Sequence, residues 1–380
     1  ASGSALVLLD EANSTTIKGL IWANVSGIIG AVAIASDNNE IIDCSFKNGG
    51  GLYIGFLNYS WSPGLGVFNK ANNNKVFYTS AIRGVLEGSL YVIGDDNEVS
   101  GLDINGDLIV GGLNPNNTVL VTSNKNFIHE FSVRDKTRLI GDENILTAMA
   151  SGDAGNSKGQ GVFVEGNDNE ILSSTVHVGE NLDGGTNPPP AGIVVKPGSD
   201  NVNVDAVVLT NVLPVSLDIP IDGIRLEGVT GAVITNVNSS DFWNGMIIRD
   251  NAAGSSITNS KFHDNKNHGI FIYNGADNTT VTDIEAYNNA FSGVVVWSSE
   301  NTTISSSKVY NNDYNGFAYV NTTTFNTLDQ NYSYGNVQGE GILLENSNGV
   351  LITNNVIGQD IDDNIFGNGG NGIILQVNSG

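Results

Sequence analysis

The sequence predicts an all-β chain wound as a single-stranded right-handed parallel β-helix, a solenoid of roughly 13 coils. Three observations predict it. A glycine followed by an apolar run recurs at Gly161, Gly192, Gly223, Gly245, Gly269, Gly293, Gly316, Gly341 and Gly372, in steps of 31, 31, 22, 24, 24, 23, 25 and 31 residues. A second register, Ile234, Ile257, Val281, Ile304, Leu328 and Ile352, steps by 23, 24, 23, 24 and 24, each time after a polar turn. The composition is that of strands and turns: asparagine is about one residue in seven, with Gly, Ser, Thr, Val and Ile making up much of the rest.

A period of 22–25 residues accommodates two or three short strands per coil, each bonded to its counterpart one coil away, ~4.8 Å along the axis. Asparagines that recur at one corner stack into a side-chain ladder, which satisfies amides that would otherwise be buried unpaired. The N-terminal half carries the same phrase with less regular spacing, as in Asn38-Asn39-Glu40-Ile41, Asn97-Glu98-Val99 and Asn169-Glu170-Ile171. Variable spacing implies inserted loops, with the longest candidates at 48–72, 149–160 and 179–191. The expected organisation is one domain over 1–380, irregular over 1–230 and regular over 231–380. Both ends read as strands without a cap, so either the natural chain extends further or the ends meet other copies.

Charge narrows the function classes. Forty acids against 16 bases give a net charge of −24, which disfavours nucleic acid and anionic membrane surfaces. No stretch approaches the ~20 apolar residues of a membrane helix, and no leader precedes the first strand, so a secreted form is expected to be already trimmed. The single Cys44 lies in Ile-Ile-Asp-Cys-Ser-Phe, where a small buried thiol is the simplest reading. Nine Asn-x-Ser/Thr acceptor motifs occur, about as many as this composition produces by chance.

The phrases Asn-Ser-Lys-Phe-His-Asp-Asn-Lys-Asn-His-Gly-Ile-Phe-Ile (259–272) and Ser-Lys-Val-Tyr-Asn-Asn-Asp-Tyr-Asn-Gly-Phe (307–317) resemble the parallel β-helix repeat family. That family includes NosD-like and other carbohydrate-binding and sugar-hydrolysis domains, pectate-lyase-like enzymes, phage tailspikes and surface-layer proteins. The resemblance is strong over roughly 230–380 and weak before it. It implies the fold and leaves function open. The Asp-Pro-His-Glu of alginate epimerases, the Gly-His-Gly of polygalacturonases and the calcium-binding Gly-Gly-x-Gly-x-Asp repeat are all missing. No cofactor is evident. Calcium is compatible with acidic turns such as Asp95-Asp96 and Asp362-Asp363, which turn solvation explains more simply.

Alternation along each glycine-led strand places the first and third residues inward and the second and fourth outward. The second column (Phe163, Val194, Arg225, Ile247, Phe271, Val295, Ala318, Leu343, Ile374) is then an outward apolar stripe. Such a stripe is either covered by a loop or another subunit, or, through Tyr273 and Trp297, forms an aromatic strip for sugar rings. One patch interrupts it. Arg225, Glu227 and Arg249 come from adjacent coils, and Asp222, Asn244 and His268 precede three successive glycines. A guanidinium beside a carboxylate and an imidazole is equipment for uronate chemistry, with arginine neutralising the sugar carboxylate and His268 or an acid moving the proton. Cross-coil ion pairing is the alternative.

The expected function is a secreted or cell-surface structural or adhesive protein that associates with copies of itself as a filament or closed oligomer. The alternative is a polysaccharide-active lyase, epimerase or glycosidase.

Overall fold

The computed structural model describes residues 191–212 and 220–377 continuously. Over the first 178 residues it describes 6–8, 13–19, 21–23, 32–34, 36–47, 52–54, 56–58, 67–69, 72–77, 84–86, 90–104, 108–113, 120–121, 123–133, 137–151 and 161–178. The chain is a parallel β-helix whose strands fall into two compact units, 1–176 and 177–380. Among the described residues there is no helix.

In the first unit, seven parallel strands stack in one sheet: Leu6–Leu8, Val32–Ile34, Leu52–Ile54, Leu90–Val92, Leu108–Val110, Thr137–Ile140 and Val162–Glu165. The second unit stacks eight glycine-led strands: Ala191–Val195, Asp222–Glu227, Met246–Arg249, Ile270–Tyr273, Val294–Trp297, Phe317–Val320, Ile342–Glu345 and Ile373–Gln376. Two further strands complete each regular coil. After Met246–Arg249 come Ser256–Thr258 and Lys261–His263, paired to the next coil in the register Ile257↔Val281 and Phe262↔Ala286.

The core follows the alternation. Ile248, Ile272 and Val296 point inward on consecutive coils and are wholly buried, as are Ile234, Ile257 and Val281 in the second register. Cys44 is also buried, its Sγ 3.2 Å from the Ile42 carbonyl. The glycines of the repeat are there for space. A Cβ on Gly293 would lie 2.1 Å from Val309 Cγ1 and 2.9 Å from Asn312 Nδ2. From Gly192 to Gly341 each of these glycines turns into the core against the carbonyl of the next, so the apolar residue after it is a second consecutive inward position.

Asparagine has two separate jobs. In the first unit Asn39, Asn74, Asn97, Asn126, Asn144 and Asn169 form a buried ladder, each donating its backbone N–H to Oδ1 of the next at 2.9–3.1 Å. Asn265, Asn289, Asn312, Asn336 and Asn368 repeat the device in the second unit. Other asparagines turn the corners: Asn236, Asn259, Asn288, Asn311 and Asn354 all adopt positive φ near 50°, where most side chains are strained and Asn is tolerated.

One expected loop contains a core strand. Within 48–72, Leu52 and Ile54 are buried members of the first sheet, and Phe56–Asn58 pairs antiparallel with Val67–Asn69. The insertion is therefore a hairpin grafted directly after a strand. The expected loop at 149–160 is described only to Ser151, which closes the strand Ile145–Ser151, and the loop at 179–190 lies outside the described residues.

Candidate functional site

The outward face of the glycine-led sheet in the second unit carries every site residue read from the sequence. Its stripe is not the open apolar surface that alternation implies. Val194, Ile247, Val295 and Ala318 are buried within the single chain, and Arg225 is only 2% exposed. The chain therefore supplies its own cover over this part of the stripe.

The charged residues do come together, as expected from their coils. Because Gly223 turns inward together with Ile224, Asp222 emerges on the same face as Arg225. Arg225 Nε and Nη2 donate to Asp222 Oδ2 at 2.9 and 2.6 Å. Asp222 Oδ1 accepts from Asn244 Nδ2 at 2.9 Å. One coil on, Arg249 Nε donates to Glu227 Oε1 at 2.9 Å, Nη2 bonds the same oxygen, and Nη1 reaches the Tyr273 hydroxyl at 3.5 Å. Asp250 Oδ2 lies 3.3 Å from Arg249 Nε. Burial pulls the Arg249 pKa down, but the bonds to Glu227 and Tyr273 outweigh it and hold the guanidinium above its ordinary range. These groups satisfy one another. A guanidinium whose N–H groups are already engaged with a buried carboxylate has little left to offer a substrate.

His268 sits at the end of this row. Its backbone N–H donates to Asn244 Oδ1 at 3.3 Å, and its ring lies between Phe271 and Phe291, at centroid distances of 5.1 and 5.2 Å. Burial lowers its pKa from 6.5 to about 4, against a hydrogen bond to the Ser292 backbone that raises it. Nδ1 is buried with no partner among the described residues. The ring is therefore neutral at pH 7.

A sign follows from that shift. The unfolded ring titrates near 6.5 and the folded ring near 4, so below 6.5 the unfolded chain binds the extra proton. The contribution of His268 to stability is full above pH 6.5 and falls toward pH 4, by about 3 kcal/mol. Urea midpoints measured across this range should fall more steeply for the wild type than for His268→Phe. Parallel pH profiles would contradict the burial of this ring.

The aromatic residues form the larger feature. The turn residues two before the glycine stack coil on coil, with the Asn267 N–H bonded to the Trp243 carbonyl, Phe291 to Asn267 and Tyr314 to Phe291. The Phe291 and Tyr314 rings stack at 4.6 Å and 3°. On the other side of the strand, Phe271 stacks on Tyr273 at 4.8 Å and approaches Trp297 at 6.4 Å. His268 joins the two groups into one aromatic surface. Trp297, Phe291 and Tyr314 are 44%, 42% and 42% exposed. Tyr273 and Trp297, expected from the outward column, lie on this surface, and Trp243, Phe291 and Tyr314 stand in the turns that alternation does not reach. Their signal is the position two before the repeat glycine.

A second aromatic column runs along another strand of each coil. His263, Tyr287, Tyr310 and Tyr334 stack at 4.8, 5.0 and 5.1 Å with interplanar angles of 4°, 7° and 3°. Their faces are occupied by one another, which makes this column a cross-coil stabiliser. Among the described residues, no group of three or more His, Cys, Asp or Glu side chains is arranged to hold a metal ion. Asp360 Oδ1 accepts the Asp362 N–H two residues on at 2.9 Å, as a turn-solvating acid does, while Asp95 Oδ1 accepts the Asn124 N–H of another coil at 2.8 Å. No helix among the described residues is long and apolar enough to cross a membrane.

Residues 222–380 match the family model described as a right handed beta helix region. No curated protein matches the sequence. Among solved structures, the chain is similar to the A-module of the Azotobacter vinelandii mannuronan C-5 epimerase AlgE4, with 12% identity, TM-score 0.47, and 76% of this chain and 88% of that one covered. It is similar to a variant of the periplasmic alginate epimerase AlgG, with 13% identity, TM-score 0.48, and 96% and 82% covered. It is also similar to the Streptococcus pneumoniae surface protein and adhesin PfbA, with 12% identity, TM-score 0.43, and 98% and 92% covered. Likeness at this level assigns no residue of this chain a role.

Proposed function

Taking residues 222–380 as a right handed β-helix region, we propose that the chain is a surface or secreted adhesive protein that holds a glycan on the outer face of this region without turning it over. The observation that carries this reading is the contiguous aromatic surface of half-buried Phe271 and Tyr273 with exposed Phe291, Trp297 and Tyr314, beside ionisable groups that are already paired. Sugar rings present apolar C–H faces that lie against aromatic rings, and their hydroxyls use a polar rim. The single chain leaves Phe291, Trp297 and Tyr314 open while it buries Val194, Ile247, Val295 and Ala318 of the stripe. Affinity electrophoresis through polysaccharide-containing gels tests the reading. The wild type should be retarded by at least one polysaccharide, and a Trp297→Ala, Phe291→Ala double variant that melts normally should migrate freely. Migration unaffected by every gel, or equal retardation of both proteins, overturns it.

Association between copies belongs to the same proposal. The exposed rings of Phe291, Trp297 and Tyr314 offer apolar area to another copy as well as to a sugar. Sedimentation at micromolar concentration should show mass rising with concentration. A single species of monomer mass at every concentration contradicts self-association and leaves glycan binding untouched.

A further inference from the structure

We infer that the glycan accepted by this face is uncharged, a polymer of neutral sugars and not of uronic acids; the inference rests on the glycan-binding reading above. It follows from how the charges beside the aromatic surface are spent. The two guanidinium groups next to it, Arg225 and Arg249, face three carboxylates: Asp222 at 2.6 Å from Arg225, and Glu227 and Asp250 around Arg249, the latter at 3.3 Å. Arg225 and Asp222 are nearly inaccessible, so a ligand carboxylate does not displace Asp222 without unburying the pair. At Arg249 an incoming uronate would have to displace Glu227, itself buried, or approach Asp250, which is exposed and of like sign.

Like-charge approach and the loss of hydration both oppose a uronate here. The chain as a whole adds to that opposition, with its net charge of −24. Neutral hydroxyls meet no such barrier. They both donate and accept, and the rim offers groups that do the same: the Tyr273 hydroxyl beside Arg249, the Asn267 amide beside Asn244, and the Tyr314 hydroxyl at the end of the stack. His268, buried between two phenyl rings, adds no positive charge at neutral pH.

The test runs the wild type, Trp297→Ala and Asp250→Asn through native gels containing a neutral glucan, mannan or galactan, or pectate or alginate, at low and high salt. The expected result is retardation by a neutral polymer that salt leaves unchanged and Trp297→Ala abolishes, with pectate and alginate giving none. Asp250→Asn should keep the neutral affinity and gain retardation by an acidic polymer at low salt. Stronger retardation by pectate or alginate than by every neutral polymer, lost in Trp297→Ala, overturns the inference while the glycan-binding reading stands. Free migration in every gel overturns both.

Discussion

Replacing Asp222 with alanine should lower the stability of the second unit by about 3–5 kcal/mol, because it removes the nearest carboxylate from a buried guanidinium. Arg225 is 2% exposed and bonds Asp222 through both Nε and Nη2. Its next carboxylate oxygen, on Glu227, is 4.0 Å away. The substitution also leaves Asn244 Nδ2 without its acceptor. Converting the pair together, Asp222→Leu with Arg225→Met, should recover most of the loss, since a well-packed apolar pair avoids the desolvation that the ions incur. Urea unfolding followed by circular dichroism reads both variants. An Asp222→Ala protein with the wild-type midpoint would mean that the pair is solvated, and would reopen Arg225 as a substrate-binding group.

Ile272→Asp should cost several kcal/mol and unfold the coils on either side of it. Ile272 is wholly buried, stacked between Ile248 and Val296 in the parallel register. Neighbouring coils lose packing on both sides because solenoid coils depend on their immediate neighbours. Ile272→Val, which removes one methylene, should cost only about 0.5–1.5 kcal/mol. An Ile272→Asp protein that melts like the wild type would show that this strand is out of register by one residue, which would turn every outward residue of the site inward.

The coil was legible because its two strongest constraints are written one residue at a time. A glycine is needed wherever a Cβ would strike a side chain across its own coil and the carbonyl of the next, as Gly293 would strike Val309 and the Gly316 carbonyl, and an asparagine wherever an amide must bond the one above it, as Asn289 bonds Asn312. Leu52–Ile54 was hidden because the hairpin inserted after it breaks the spacing. The clustering of Arg225, Asp222 and Arg249 followed from the period, but their burial did not. Burial depends on what lies across the sheet, which no periodicity along the strand records. Alternation counted from the glycine also misses that Gly223 and Ile224 face inward together, the step that brings Asp222 onto Arg225. Phe291 and Tyr314 were missed because they stand in turns, where a two-residue period has no hold, and the coil-to-coil period alone would have lined them up with Asn267.

The proposed role of this face is to bind sugar and leave it intact. The direct measurement is prolonged incubation of the wild type with a panel of neutral and acidic polysaccharides, read for new reducing ends and for the ultraviolet absorbance of unsaturated sugars. Neither signal is expected from any polymer, including one that retards the protein in a gel. Product formed by the wild type and lost in an Arg249→Ala, His268→Ala double variant would contradict it, and would make this row of paired charges an active site.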